Sequence, residues 1–126
     1  MHIGKFNIYI LGLVKNKYYV GKTHKDVSFR IYQHIKGNGS QWTKLYKPIK
    51  LVGTFETKDK FDEDKYTKKY MDLYGIENVR GGSYCQIKLG EHQLKILDME
   101  LKTANDLCFK CGKFGHFSSQ CYSKNN

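Results

Sequence analysis

No stretch of the sequence stays apolar over the ~18 residues that a membrane helix needs, and neither a signal peptide nor a lipidation motif is present. These absences argue against a membrane partner and predict a soluble, intracellular chain. There is no internal repeat and no long low-complexity tract, so nothing suggests a repeat array. Acidic residues are scarce: 12 Asp+Glu stand against 22 Lys+Arg, a formal charge of +10 over 126 residues. That imbalance favours a polyanionic partner, because every phosphate neutralised releases condensed counterions, and it disfavours a protein-protein adaptor. Of the four cysteines only Cys85 lies outside a C-terminal group of three. Three cysteines crowded around a histidine point to metal rather than to a disulfide framework.

What is present supports a folded core, with 40% hydrophobic residues and 14% aromatics. The length suits one compact domain and a small appendix. Residues 7–14 and 18–21 read as the strands of a hairpin turning near Lys15-Asn16-Lys17, without the Asn-Gly or Asp-Gly pair of a two-residue turn. Asp26 or Ser28 can cap a helix that runs to Lys36 and stops at Gly37, with Val27, Ile31 and Ile35 as the stripe facing the sheet. Residues 37–48 form a loop closed by Pro48, the chain's only proline, and Ile49 to Phe55 alternates as a third strand. A second helix spans Lys60 to Leu73, with Phe61, Tyr66, Tyr70 and Leu73 at helical spacing and Gly75 as its stop. Residues 78–82 (Asn-Val-Arg-Gly-Gly) suggest backbone brought close to something else, and a third helix over 90–103 carries Leu94, Leu97 and Leu101 as a spacer that packs on the main domain. The expected organisation is a main domain over 1–84, a helical spacer over 85–105 and a small module over 106–126.

That module has the spacing C-x2-C-x4-H-x4-C in Cys108, Cys111, His116 and Cys121. Three thiolates and an imidazole form the tetrahedral soft-ligand set that Zn²⁺ prefers, and Gly112 and Gly115 allow the tight turns. So small a segment folds only with its metal. It resembles the retroviral-type zinc knuckle, whose aromatic and basic residues grip single-stranded nucleic acid; Phe109, Lys110, Lys113, Phe114 and Phe117 supply that chemistry here. Contact with protein is the other use open to it. A metal with all four positions filled has no place for a catalytic water, so chemistry must come from elsewhere.

The hairpin offers it. Tyr9 and Tyr19 lie on adjacent strands, and the basic run Lys22-Thr23-His24-Lys25 follows at once. Phenols beside cations can hold and attack a phosphodiester, although tyrosines also simply suit a half-buried sheet. Downstream, in order, come Arg30 and His34 one helical turn apart, Glu63 in the first turn of a helix, and Asn78. With these positions the stretch from about residue 5 to 84 resembles a GIY-YIG nuclease domain. The family's two triplets stand here as Asn7-Ile8-Tyr9 and Tyr19-Val20-Gly21, with Asn7 in place of the first glycine and Val20 in place of isoleucine. Asparagine tolerates turn-like backbone geometry, and both tyrosines are kept.

The resemblance implies an α/β (α+β) fold, with a small three-stranded antiparallel sheet flanked by helices, and a metal-dependent endonuclease that hydrolyses DNA. Tyr9 and Tyr19 would activate water, their ionisation eased by Lys22, Arg30 and a divalent cation. Arg30 would clamp the phosphate bidentately, His34 would orient water or assist proton transfer, and Glu63 would hold Mg²⁺ or Mn²⁺ while Asn78 completes the site. Substrate would be single-stranded, branched or distorted DNA, with RNA also open. A monomer or weak dimer with one site nicks rather than making double-strand breaks, and a compact nuclease with a knuckle suits a virus or mobile element. Each residue also has a plainer use. Arg30 and His34 can decorate a solvated helix face, and Glu63 can serve the helix dipole as Asp62 and Asp64 do. Asn78 can satisfy a turn, and Lys22 can tether phosphate. The competing class is a catalytically inactive nucleic-acid-binding protein, a chaperone or packaging factor.

Overall fold

The computed structural model describes residues 4–105, so the four expected zinc ligands, Cys108, Cys111, His116 and Cys121, lie outside the described residues. The described chain falls into two units, Met1–Lys88 and a second that begins at Leu89. The first is an α+β domain. Its strands are β1 (Phe6–Leu13), β2 (Lys17–Thr23), β3 (Pro48–Thr57) and β4 (Val79–Gly81); its helices are α1 (Val27–Ile35), α2 (Gln41–Leu45) and α3 (Asp62–Tyr74). The second unit carries α4 (Glu91–Ala104), where Leu97 is buried and Leu94 is 38% exposed.

The sheet has four strands rather than the expected three, in the order β3-β1-β2-β4. The extra strand is the glycine-ended segment after Asn78, and it runs parallel to β2, pairing Tyr18 with Val79 and Val20 with Gly81. The remaining pairs are antiparallel. The β1–β2 connection is a single 3-10 turn, Val14–Asn16, in which Lys15 and Asn16 take positive φ. Asn7 sits inside β1 opposite Thr23 and Glu56 and has no positive φ. It uses ordinary extended backbone, so a side chain at that position causes no local strain.

Alternation along β1 and β2 divides the core. Tyr9, Leu11, Leu13 and Trp42 form a buried cluster to which Tyr19, Val27, Ile31 and Tyr46 add partly buried surface. The alternate residues Ile8, Ile10 and Val20 have no exposed surface and belong to the opposite face. Phe55, the register partner of Ile8, stacks there on Tyr66 of α3 at 4.7 Å. The expected helix stripes are corrected in two places. Ile35 is 55% exposed at the far end of α1, whereas Val27 and Ile31 do pack on the sheet. On α3 Thr67 and Met71 are buried, while Phe61 and Leu73 are exposed. Gly75 ends α3 at φ +100, which a side chain adopts only with strain.

Helix α2 lies within what reads as a loop. Its five residues are too few to show a period, and Ser40 caps it by accepting the Thr43 N–H at 3.1 Å. It carries Trp42 into the core, where the indole donates to the Tyr18 carbonyl at 2.9 Å.

Candidate active site

Strand register brings the tyrosines together. Tyr9 pairs with Gly21 and Leu11 with Tyr19, so the two phenols lie diagonally on one face. Their ring centroids are 6.3 Å apart, and both rings flank His34, Tyr9 at 5.7 Å and Tyr19 at 5.1 Å. Gly21 makes this possible: a Cβ there would overlap the Tyr9 phenol and press on the Tyr19 ring. The glycine of the second triplet is therefore a packing requirement and not a turn.

His34 comes from the last turn of α1, whose start is fixed by Asp26 accepting the Ser28 N–H at 2.8 Å. The helix is not a solvated one at this residue, because His34 has no exposed surface. Its Nε2 is 2.8 Å from the Tyr9 phenol oxygen and its Nδ1 is 2.9 Å from Thr43 Oγ1. Burial, reinforced by the Arg30 charge, pushes its pKa down to about 4, so the imidazole is neutral at pH 7. Arg30, one turn earlier, donates to Gln33 at 3.0 Å and directs its charge at both phenols.

The Arg30 charge eases ionisation of both phenols as expected, but burial outweighs it. Burial pushes both Tyr9 and Tyr19 above the ordinary phenol value, and the Glu63 charge adds to the effect. Arg30 acts in the opposite sense but does not overcome desolvation.

Three consecutive carboxylates open α3, and their hydrogen bonds tell them apart. Asp62 accepts from Thr57 Oγ1 at 2.7 Å and lies 3.8 Å from the Lys65 ammonium. Asp64 accepts from both the Ser83 N–H and its hydroxyl, at 2.8 and 2.7 Å, tying α3 to the turn after β4. Glu63 instead lies 4.0 Å from Lys22 Nζ. Together with Lys60, Phe61, Asp64, Gly82 and Ser83 these two line an open groove of about 510 Å³. Burial pushes the Glu63 carboxyl up, with Lys22 and a backbone hydrogen bond from Gly82 working against it. Among the described residues no three potential ligands cluster, and of the two groove carboxylates Asp64 is engaged by Ser83, which leaves Glu63 as the donor a cation could take. That donor suits a hard ion that keeps most of its waters, and it requires Lys22 to yield its place beside the carboxylate.

Asn78 is not brought into this group. Its Oδ1 accepts from Lys17 at 2.8 Å and its Nδ2 donates to the Tyr74 carbonyl at 2.7 Å, the turn-satisfying use. Two further features escape a reading of the sequence. Arg80 is 4% exposed and donates to the carbonyls of Ile76, Val79, Gln86 and Ile87 while lying 4.6 Å over the Trp42 ring. Thr43, under His34, is fully buried; its one signal is the serine three residues earlier, a helix-start pattern.

Two tyrosines, a buried histidine and an arginine thus meet on one face of an α+β sheet, and α3 adds a groove lined by both lysines and carboxylates. The chain belongs to the GIY-YIG catalytic domain family, whose model matches residues 5–84, and a zinc knuckle model matches residues 106–122. The GIY-YIG family is one of endonucleases, so the domain carries a nuclease-type function and the knuckle a nucleic-acid-binding one. No curated protein and no solved structure matches the chain. No helix among the described residues is long and apolar enough to cross a membrane.

Proposed function

We propose that the chain is a divalent-cation-dependent DNA endonuclease whose knuckle recruits the substrate. One observation carries this reading: of the two α3 carboxylates that line the open groove, Asp64 is taken up by Ser83, whereas Glu63 lies beside Lys22 and within electrostatic reach of the paired phenols. Phosphodiester hydrolysis needs a deprotonated nucleophile, positive charge around the pentacoordinate phosphorus and help for the leaving oxygen. Tyr9 and Tyr19 face the attacking water. Arg30 and Lys22 bind the phosphate oxygens, Arg30 by its planar fork. Glu63 would hold Mg²⁺ or Mn²⁺, which when bound would add to the positive charge that Arg30 already directs at the buried phenols. Phosphate displaces the Lys22–Glu63 pairing, so cation and DNA bind together more tightly than either does alone.

The test is nicking of supercoiled plasmid and of branched DNA with Mg²⁺ or Mn²⁺. Glu63→Gln keeps the shape of the side chain and removes its charge; it is expected to cut at least ~10²-fold more slowly with DNA affinity changed only a few-fold. Wild type and variant leaving both substrates intact in both metals would overturn the enzyme reading. The +10 charge and the knuckle would then leave a DNA-binding protein without cleavage.

A further inference from the structure

We propose that Thr43 is a positioning residue that fixes His34 in its Nδ1-protonated tautomer and so keeps Nε2 open to the phenolic proton of Tyr9. The polar groups beneath the imidazole can be satisfied in only one direction. Tyr9 is 1% exposed and has two side-chain partners, the Arg30 guanidinium, which can only donate to it, and His34 Nε2 at 2.8 Å. Its O–H therefore donates to Nε2, which leaves the ring proton on Nδ1. That N–H donates to Thr43 Oγ1 at 2.9 Å. The Thr43 hydroxyl in turn donates to the Ser40 carbonyl at 3.1 Å, and its second lone pair accepts from Ser40 Oγ at 3.3 Å. Every donor in the chain Tyr9–His34–Thr43–Ser40 then has an acceptor. Reversing it would leave the Tyr9 proton without one and take the Thr43 proton from the Ser40 carbonyl, an expensive outcome for buried groups.

The backbone enforces the arrangement. Ser40 caps α2 and Thr43 is held by that cap, so the acceptor beneath Nδ1 is set by a helix start and not by a free rotamer. Gly39 closes the other side, since a Cβ there would overlap Nδ1 itself. The imidazole has one seat and one orientation.

The consequence for turnover rests on the nuclease reading above; the tautomer does not. In cleavage one O–H bond of the attacking water breaks and its proton passes to Tyr9 Oη, while the Tyr9 proton passes to His34 Nε2. The water oxygen forms the new P–O bond. The electron pair of the scissile P–O bond leaves with the departing oxygen, which takes a proton from solvent. The imidazolium so formed keeps its Nδ1–H on Thr43.

The experiment is long-range ¹H–¹⁵N correlation of the full, zinc-loaded chain with ¹⁵N-histidine, His34 being assigned by its loss in His34→Gln. Wild type is expected to show protonated Nδ1 and bare Nε2. Thr43→Val keeps the volume and removes the acceptor, so the Nε2–H form should become populated and cleavage should fall by on the order of 10²-fold. Thr43→Ser should restore both the wild-type signature and, within a few-fold, the rate. Should Thr43→Val not fold, Thr43→Ala removes the same acceptor. A wild-type Nε2–H tautomer, or a valine or alanine variant with unchanged tautomer and rate, overturns the proposal. If wild type cuts no DNA, the nuclease reading fails while the tautomer signature still decides the role of Thr43.

Discussion

Tyr9 and His34 meet in a pocket that strips both of water, and each is held in its uncharged form as a result. For the histidine this has a measurable consequence. Its pKa is about 4 in the folded protein against an ordinary 6.5. Between those values the unfolded chain binds more protons than the native one, so stability falls as pH drops from about 6.5 towards 4 and is fully present above that window. The contribution is on the order of 2–3 kcal/mol. Urea unfolding of wild type and His34→Gln at pH 7 and pH 4.5 isolates it. The wild type should lose stability by about this much more than the variant, and parallel losses would place the acid sensitivity elsewhere. The same burial explains why the identity of this residue was legible in the sequence and its state was not. Spacing puts Arg30 and His34 one turn apart on α1, but only the packed structure shows that Arg30 stays partly exposed while His34 goes under the sheet's tyrosines.

At the level of elements, glycines mark where backbone and ring compete for space, and two of them should respond in opposite ways. Gly21 leaves room for the phenols, so Gly21→Ala forces them apart and should cost about 1–3 kcal/mol. Its loss of cleavage should exceed what that destabilisation explains. Gly53 on the edge strand β3 would bring a new Cβ only into ordinary contact with the Phe55 ring, at 3.6 Å. Gly53→Ala should therefore be neutral to slightly stabilising, and thermal melts with plasmid nicking on the two variants check both outcomes. The elements that patterning revealed are those long enough to repeat a period: β1 and β2 through alternating apolar and aromatic residues, α1 and α3 through caps and glycine stops. Two that it missed are short. Helix α2 has five residues and β4 three, and β4 earns its strand identity only by pairing with β2 across the sheet. On α3 the helical spacing of large side chains does not pick out the buried ones, for a different reason. Phe61 is an aromatic at helical spacing, yet it stays 70% exposed with Lys60 over its ring, while the polar Thr67 is buried because its hydroxyl donates to the Glu63 carbonyl at 2.7 Å.

For the whole molecule the decisive quantity is charge. A net +10 over 126 residues, with the GIY-YIG match in one segment and the zinc knuckle match in another, is the basis on which the proposed function divides cutting from holding. Among the described residues the groove is lined by two cations, Lys22 and Lys60, a small electrostatic footprint for the DNA binding proposed above. Most of the affinity should therefore come from phosphates met outside the groove and should fall steeply with ionic strength, at least ~10-fold between about 50 and 200 mM salt. Cys111→Ser removes an expected zinc ligand and leaves the sequence of the GIY-YIG domain unchanged. Its expected signature is weaker binding to single-stranded and branched DNA, with cutting that recovers as protein concentration rises, because the knuckle raises occupancy rather than performing chemistry. Fluorescence anisotropy across a salt series, paired with nicking across a protein titration, reads both effects. An affinity indifferent to salt would remove the polyanion as partner. Cutting that stays absent at every concentration in a folded Cys111→Ser protein would make the knuckle part of the cleaving apparatus itself.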